Sequence, residues 1–231
     1  MPYKTPPASS RVESAFSVTE LLVAIGIVAC LLVLVLSALN VTTESAKSAK
    51  CVNNLRQLSA GMLIYAADNG GMLPKVFDYE LQTPWMSALS VHGVLPWYWD
   101  PGHFKLWHCP SWRPFSADGP AGGAPYLFTY GLVMPWDGDF ERRLSKLTGD
   151  TPLLADSIGE NDNATPGWSN LQHYYVVASV PTNTHRLHLR HRGKVTIAFV
   201  GGHCRSVTRD ELKDMTVNDI PITNWSERKS P

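Results

Sequence analysis

Residues 21–39 read LLVAIGIVACLLVLVLSAL, nineteen consecutive positions without a charged side chain. A helix needs about 20 apolar residues to cross a bilayer, so this stretch predicts a membrane helix or a signal segment. An ordinary secretory signal has a shorter apolar core, of about 7–15 residues, with a small-x-small cleavage site behind it. Neither feature is present. Residues 1–15 carry Lys4 and Arg11 against one acid, Glu13, and this positive bias holds the N-terminal end in the cytoplasm and sends the remainder across. Glu20 stands at the very edge of the apolar run. An unpaired carboxylate costs about 2.5–3.5 kcal/mol at full membrane depth, so Glu20 either marks the water interface or has a partner.

Moving outward toward the N-terminus, Ala15-Phe16-Ser17-Val18-Thr19-Glu20-Leu21-Leu22 resembles the class III prepilin signature of type IV pilin-like proteins and type II secretion pseudopilins. The resemblance implies cleavage between Ala15 and Phe16 by a prepilin peptidase on the cytoplasmic face, with the apolar helix left attached and the new Phe16 amine methylated. Glu20 becomes the fifth residue of the mature chain. The family then implies that this amine pairs with Glu20 of an adjacent subunit at low dielectric, which turns a buried charge into an assembly register. The residue before the cut is usually Gly in that family and is Ala15 here. The implied partners are other copies of the chain, other pilin-like subunits, the peptidase and an inner-membrane assembly platform. The implied location is the bacterial inner membrane, single-pass, with the head in the periplasm or in an envelope or extracellular filament.

Toward the C-terminus no Pro or Gly interrupts the chain from residue 40 until Gly61. Val52, Leu55, Leu58, Met62 and Tyr65 recur at steps of three and four, predicting an amphipathic helix whose apolar stripe faces the head. Asn69-Gly70-Gly71 followed by Pro74 predicts its stop. The expected layout is a cleaved leader over 1–15, a transmembrane and assembly helix over 16–39, an amphipathic continuation and turn over 40–74, and a loop-rich head over 75–231. The fold class is α+β: a pilin fold, with a long helix half projecting and half packed on a small antiparallel sheet.

The segments 51–58 and 65–71, the pair Cys109-Pro110, and His191 followed after nine residues by Gly201-Gly202 are similar to a bacterial subgroup of pilin-like proteins with a His-x9-Asp-Gly motif. Gly201 takes the place of that Asp. Read from the residues alone, 194–200 (KVTIAFV) and 203–208 form a hairpin with Gly201-Gly202 as a two-residue turn of positive φ. Further strands are expected over 126–133, 152–156 and 174–179, and a short helix over 85–89. Seventeen Pro and 17 Gly suit a head of short elements joined by turns. Twenty Lys+Arg balance 20 Asp+Glu with the basic residues scattered, so no nucleic-acid partner is expected.

Candidate chemistry is sparse. His185, His188, His191 and His203 could share a helical face around zinc, but Arg186, Arg190 and Arg192 would repel a cation and no HExxH pattern is present. The sequence reading therefore assigns no metal and no catalytic residue. In that reading His191 and His203 hydrogen-bond loop backbone at the hairpin ends. On the oxidising side of a membrane, Cys51 and Cys109 are the expected disulfide pair, with Cys204 the rival partner for either. Cys30 is a small apolar residue of the membrane run. The loops 68–70 and 156–163 are oxygen-rich, as in calcium sites of some pseudopilin heads, but lack EF-hand spacing, so solvated turns are expected and calcium stays the alternative. Trp85, Trp97, Tyr98, Trp99, Trp107 and Trp112 fit core packing or, on a second reading, a polysaccharide-binding face. The expected function is a structural filament subunit with no enzymatic activity.

Overall fold

The computed structural model describes residues 17–97, 100, 103–112, 130–135, 142–159 and 172–227. Helix α1 runs over Val18–Asp68. The head elements follow in order: β1 (Phe77–Asp78), β2 (Thr83–Pro84), α2 (Trp85–Val91), β3 (Gly131–Met134), β4 (Pro152–Ala155), β5 (Ser157–Gly159), β6 (Tyr175–Val177), β7 (His185–His188), β8 (Lys194–Phe199), β9 (Cys204–Thr208), α3 (Arg209–Lys213), β10 (Thr216–Val217), β11 (Ile220–Pro221) and β12 (Trp225–Ser226).

The chain divides into two compact units, Met1–Thr43 and Glu44–Pro231. In the first, the apolar side chains of α1 are exposed: Leu21, Leu22, Ile25, Leu31 and Leu34 each leave more than half their surface uncovered. Among the described residues, no element covers them. The segment is long and apolar enough to cross a membrane.

In the second unit, Cys51, Leu55, Leu58, Met62 and Ala66 form the buried face of α1, close to the predicted stripe. The helix ends where Asn69-Gly70-Gly71 predicts. Gly70 and Gly71 adopt φ of 63° and 82°, and the Gly71 N–H closes the last turn on the Ala66 carbonyl at 2.7 Å.

The main sheet has the order β6-β3-β4-β8-β9. Its two faces bury different residues. Leu132, Met134, Leu154 and Ala198 join the buried face of α1, together with Trp85, Met86 and Leu89 of α2. Val133, Ala155, Ile197 and Phe199 alternate onto the opposite face, with Leu187, Val207, Leu212 and Ile222. A register shift between Pro152 and Leu154 is why the adjacent Leu153 and Leu154 both reach the helix side. A second sheet, β12-β7-β5, supplies Leu187 to that opposite core.

These observations refine the expected sheet. The head is α+β, but its sheets are mixed: β3 pairs parallel with β6 and β7 parallel with β12. A second sheet was not foreseen, because its strands are only two to four residues long and carry polar side chains. The β8–β9 hairpin is present, but its turn differs from the expected one. Residues 200–203 connect the strands, and within them Gly202 alone has positive φ, at 83°. The two-residue turn lies instead at Arg192-Gly193, with φ of 55° and 76°, closed by paired backbone hydrogen bonds between His191 and Lys194 at 3.1 and 3.2 Å.

Candidate functional site

Four side chains remote in sequence converge inside the head. Cys51 comes from the buried face of α1, and Cys109 from the segment after the 3-10 turn Phe104–Leu106. Asp156 is the single residue between β4 and β5, where the chain leaves one sheet for the other. His191 opens the Arg192-Gly193 turn, which fixes where its ring can reach.

Their ligand-type atoms all lie within 4.8 Å of one another. Cys51 Sγ donates to Asp156 Oδ1 at 3.1 Å. Cys109 Sγ and His191 Nε2 are 3.3 Å apart, and His191 Nε2 stands 3.4 Å from Asp156 Oδ2. Cys51, Cys109 and Asp156 have no solvent exposure, and His191 retains 6%.

A polar shell holds this constellation. The Thr196 N–H donates to Asp156 Oδ2 at 2.9 Å. Arg190 Nε lies 3.9 Å from Asp156 Oδ1, and the guanidinium also donates to His188 Nδ1 and the Ser157 carbonyl while lying over the Trp112 ring. The Cys109 backbone is clamped by Gln172, whose Oε1 accepts its N–H at 3.0 Å and whose Nε2 donates to its carbonyl at 3.1 Å. Asn54, one turn after Cys51 on the same face, donates to the Lys105 and His108 carbonyls at 2.8 and 3.2 Å. It ties the Cys109 segment to the helix.

Burial alone would push the Asp156 carboxyl up, but the Arg190 and His191 charges hold it well below the usual carboxylate range. Burial likewise pulls His191 down, and the facing Asp156 carboxylate outweighs it, raising the imidazole to about 10. Burial, Cys109 and Asp156 push the Cys51 thiol up. At Cys109 burial is outweighed by hydrogen bonds from Cys51 and His191 and by the Arg190 charge, which bring the thiol down to about 7.

This arrangement is not a proton relay. A relay strings a nucleophile and an acid through the two nitrogens of one imidazole. Here Cys109 and Asp156 both meet Nε2, while Nδ1 is buried without a partner. No substrate-accessible nucleophile exists among the four, because the three strongest donors are completely covered. The geometry is convergent.

The predicted residues meet varied outcomes. Ala15 and Phe16 lie outside the described residues. Glu20 lies in the first turn of α1, its carboxylate accepting the Ser17 N–H at 2.9 Å while Ser17 Oγ accepts the Glu20 N–H at 3.2 Å, the reciprocal pattern of a capping box. Cys51 and Cys109 meet in one cluster, but both are free thiols and not the expected disulfide, while Cys204 is elsewhere and half-buried.

The His residues share no helical face, because 185–188 is a strand. His185 packs tilted against His173, with ring centroids 3.9 Å apart. His188 meets Trp112, and His203 stacks on Phe199. The His191 side chain faces Cys109 and Asp156 rather than loop backbone. The Arg190 guanidinium faces the Asp156 carboxylate and donates to His188 Nδ1 and the Ser157 carbonyl.

Asp156 is buried in this site and not part of an oxygen-lined loop; residues 160–163 of that stretch lie outside the described residues. In the other oxygen-rich loop, Asn69 Nδ2 donates to the Tyr65 carbonyl. Trp85, Trp107 and Trp112 are buried, which leaves Trp97 on the surface; Tyr98 and Trp99 lie outside the described residues. Sequence reasoning missed Asn54 and Gln172, placed Asp156 in an oxygen-rich loop, and read Arg190 only as a charge that repels a cation. The available signal was an acid directly after the apolar run 152–155, a pattern shared with many strand ends.

No protein-family model, curated protein or solved structure matches this chain.

Proposed function

We propose that this protein is a pilin-like structural subunit of the pseudopilin kind, processed by a prepilin peptidase and assembled through its N-terminal helix into a type II secretion or type IV pilus-like filament. The observation that carries this reading is the N-terminal part of α1. It is apolar, uncovered by the described residues of its own chain, and carries Glu20 as the only acid of its first turn. An uncovered apolar helix must be buried by lipid or by other subunits. Neighbouring copies satisfy both requirements, since lipid covers the helix before assembly and sibling helices cover it afterwards. The head contributes an α+β body.

The test is mass analysis of the N-terminus of protein recovered from bacterial membranes. A chain beginning at Phe16, with the mass of an added methyl group on its amine, is the expected result. Retention of residues 1–15, or loss of the whole apolar stretch, overturns the proposal.

A further inference from the structure

We propose that Cys51, Cys109, Asp156 and His191 form a structural zinc site, with both sulfurs, one Asp156 oxygen and His191 Nε2 as the four ligands. This inference stands apart from filament assembly and concerns the interior of the head alone.

The donor set is the first argument. Two thiolates, an imidazole and a carboxylate are all zinc ligands, and four protein ligands with no open position are the mark of a structural site. Geometry is the second. Bonds of about 2.3 Å to sulfur and about 2.0–2.1 Å to nitrogen and oxygen put the edges of a zinc tetrahedron at about 3.3–3.8 Å. The donor atoms lie within 4.8 Å of one another; Cys51 Sγ is 3.1 Å from Asp156 Oδ1, Cys109 Sγ is 3.3 Å from His191 Nε2, and His191 Nε2 is 3.4 Å from the other carboxylate oxygen, Oδ2, so side-chain adjustments that bring one Asp156 oxygen toward both sulfurs and the imidazole admit the ion.

Charge is the third argument. When zinc binds, the two thiols and the imidazolium release their protons to solvent. The two thiolates then offset the dication and Arg190 offsets Asp156, leaving a buried centre that is formally neutral. The shell around the ligands also suits a metal. The Thr196 N–H fixes one carboxylate oxygen and Gln172 clamps the Cys109 backbone, as outer-shell partners do around metal ligands. A Cys51–Cys109 disulfide, by contrast, would use two of the four groups and leave the convergence of Asp156 and His191 on the sulfurs without a purpose.

Zinc here would join the helix, the Cys109 segment, the sheet crossover and the Arg192-Gly193 turn at one point. The test uses the full chain in detergent, purified without chelator or added reductant. Metal content is read by plasma mass spectrometry and thiols are counted after denaturation. The expected result is about one zinc per chain, lost in Cys109→Ser and in His191→Ala and kept in Cys204→Ser.

Because the ligand variants can fail to fold, a second measurement uses the wild-type chain. Metal stripped by a chelator and replaced by Co2+ should produce thiolate-to-cobalt charge transfer and the ligand-field bands of a tetrahedral site. A metal-free chain whose Cys51 and Cys109 are joined in a disulfide overturns the proposal. So does a chain with free thiols that takes up neither Zn2+ nor Co2+.

Discussion

Glu20 has two claims on its carboxylate: the capping box with Ser17 within its own chain, and the proposed pairing with a neighbour's new amine. The two separate cleanly, because Gln can accept the Ser17 N–H as Glu does but carries no charge. Both Glu20→Gln and Glu20→Ala are expected to reach the membrane and to be excluded from filaments in a shearing and co-sedimentation assay. Assembly of Glu20→Gln at the wild-type level would leave the acid with the helix start as its only role. His173 supports a prediction of another kind. Its Nδ1 is shielded and unpartnered, and its ring is packed by Tyr174, Tyr175 and His185. Desolvation, then the neighbouring His185 charge, hold its pKa well below the ordinary imidazole value. The unfolded chain therefore binds the proton more readily than the folded one. The contribution to stability is complete above the unfolded value of about 6.5 and is lost as pH falls below it. Denaturant melts from pH 7 to 5 should show a smaller loss of stability in His173→Leu than in wild type; equal slopes would exclude His173 as a source.

Among the elements, the β8–β9 hairpin gives a local reason for Gly at 201, where the resembled motif carries Asp. The Gly201 N–H donates to the Gly149 carbonyl at 2.8 Å. A Cβ at 201 would lie 2.9 Å from that same oxygen and 3.3 Å from the Gly149 Cα. Gly201→Asp would also set a carboxylate beside a carbonyl, and a loss of about 1–3 kcal/mol is expected from the overpacking alone. Chemical denaturation should reveal a lower midpoint at unchanged slope, whereas an unchanged midpoint would mean that residues 148–151 move aside without cost. The stripe on α1 was legible from spacing because a 3.6-residue period needs no tertiary information. The hairpin was legible for the same reason, its alternation being local. β5 and β7 were not, since their residues Ser157, His185, Arg186 and His188 read as polar turn or helix face. They become strands by pairing with each other and with β12.

For the whole molecule, the division at Thr43 and Glu44 predicts that a chain starting at Glu44 is soluble without detergent and unfolds in one cooperative transition. Its described core residues all lie beyond that boundary. Aggregation, or a broad non-cooperative melt, would mean that the apolar segment is needed to complete the head. By itself the sequence determined what short-range patterns encode: an uncharged run of membrane length, an amphipathic continuation, its glycine stop, and a terminal hairpin. These depend on side-chain spacing along one element, and that spacing is printed in the chain. The convergence of Cys51, Cys109, Asp156 and His191 was decided by tertiary structure alone. A helix face, an anchored segment, a crossover between sheets and a positive-φ turn must all be placed in space before four donors scattered over 140 residues of separation can face one another.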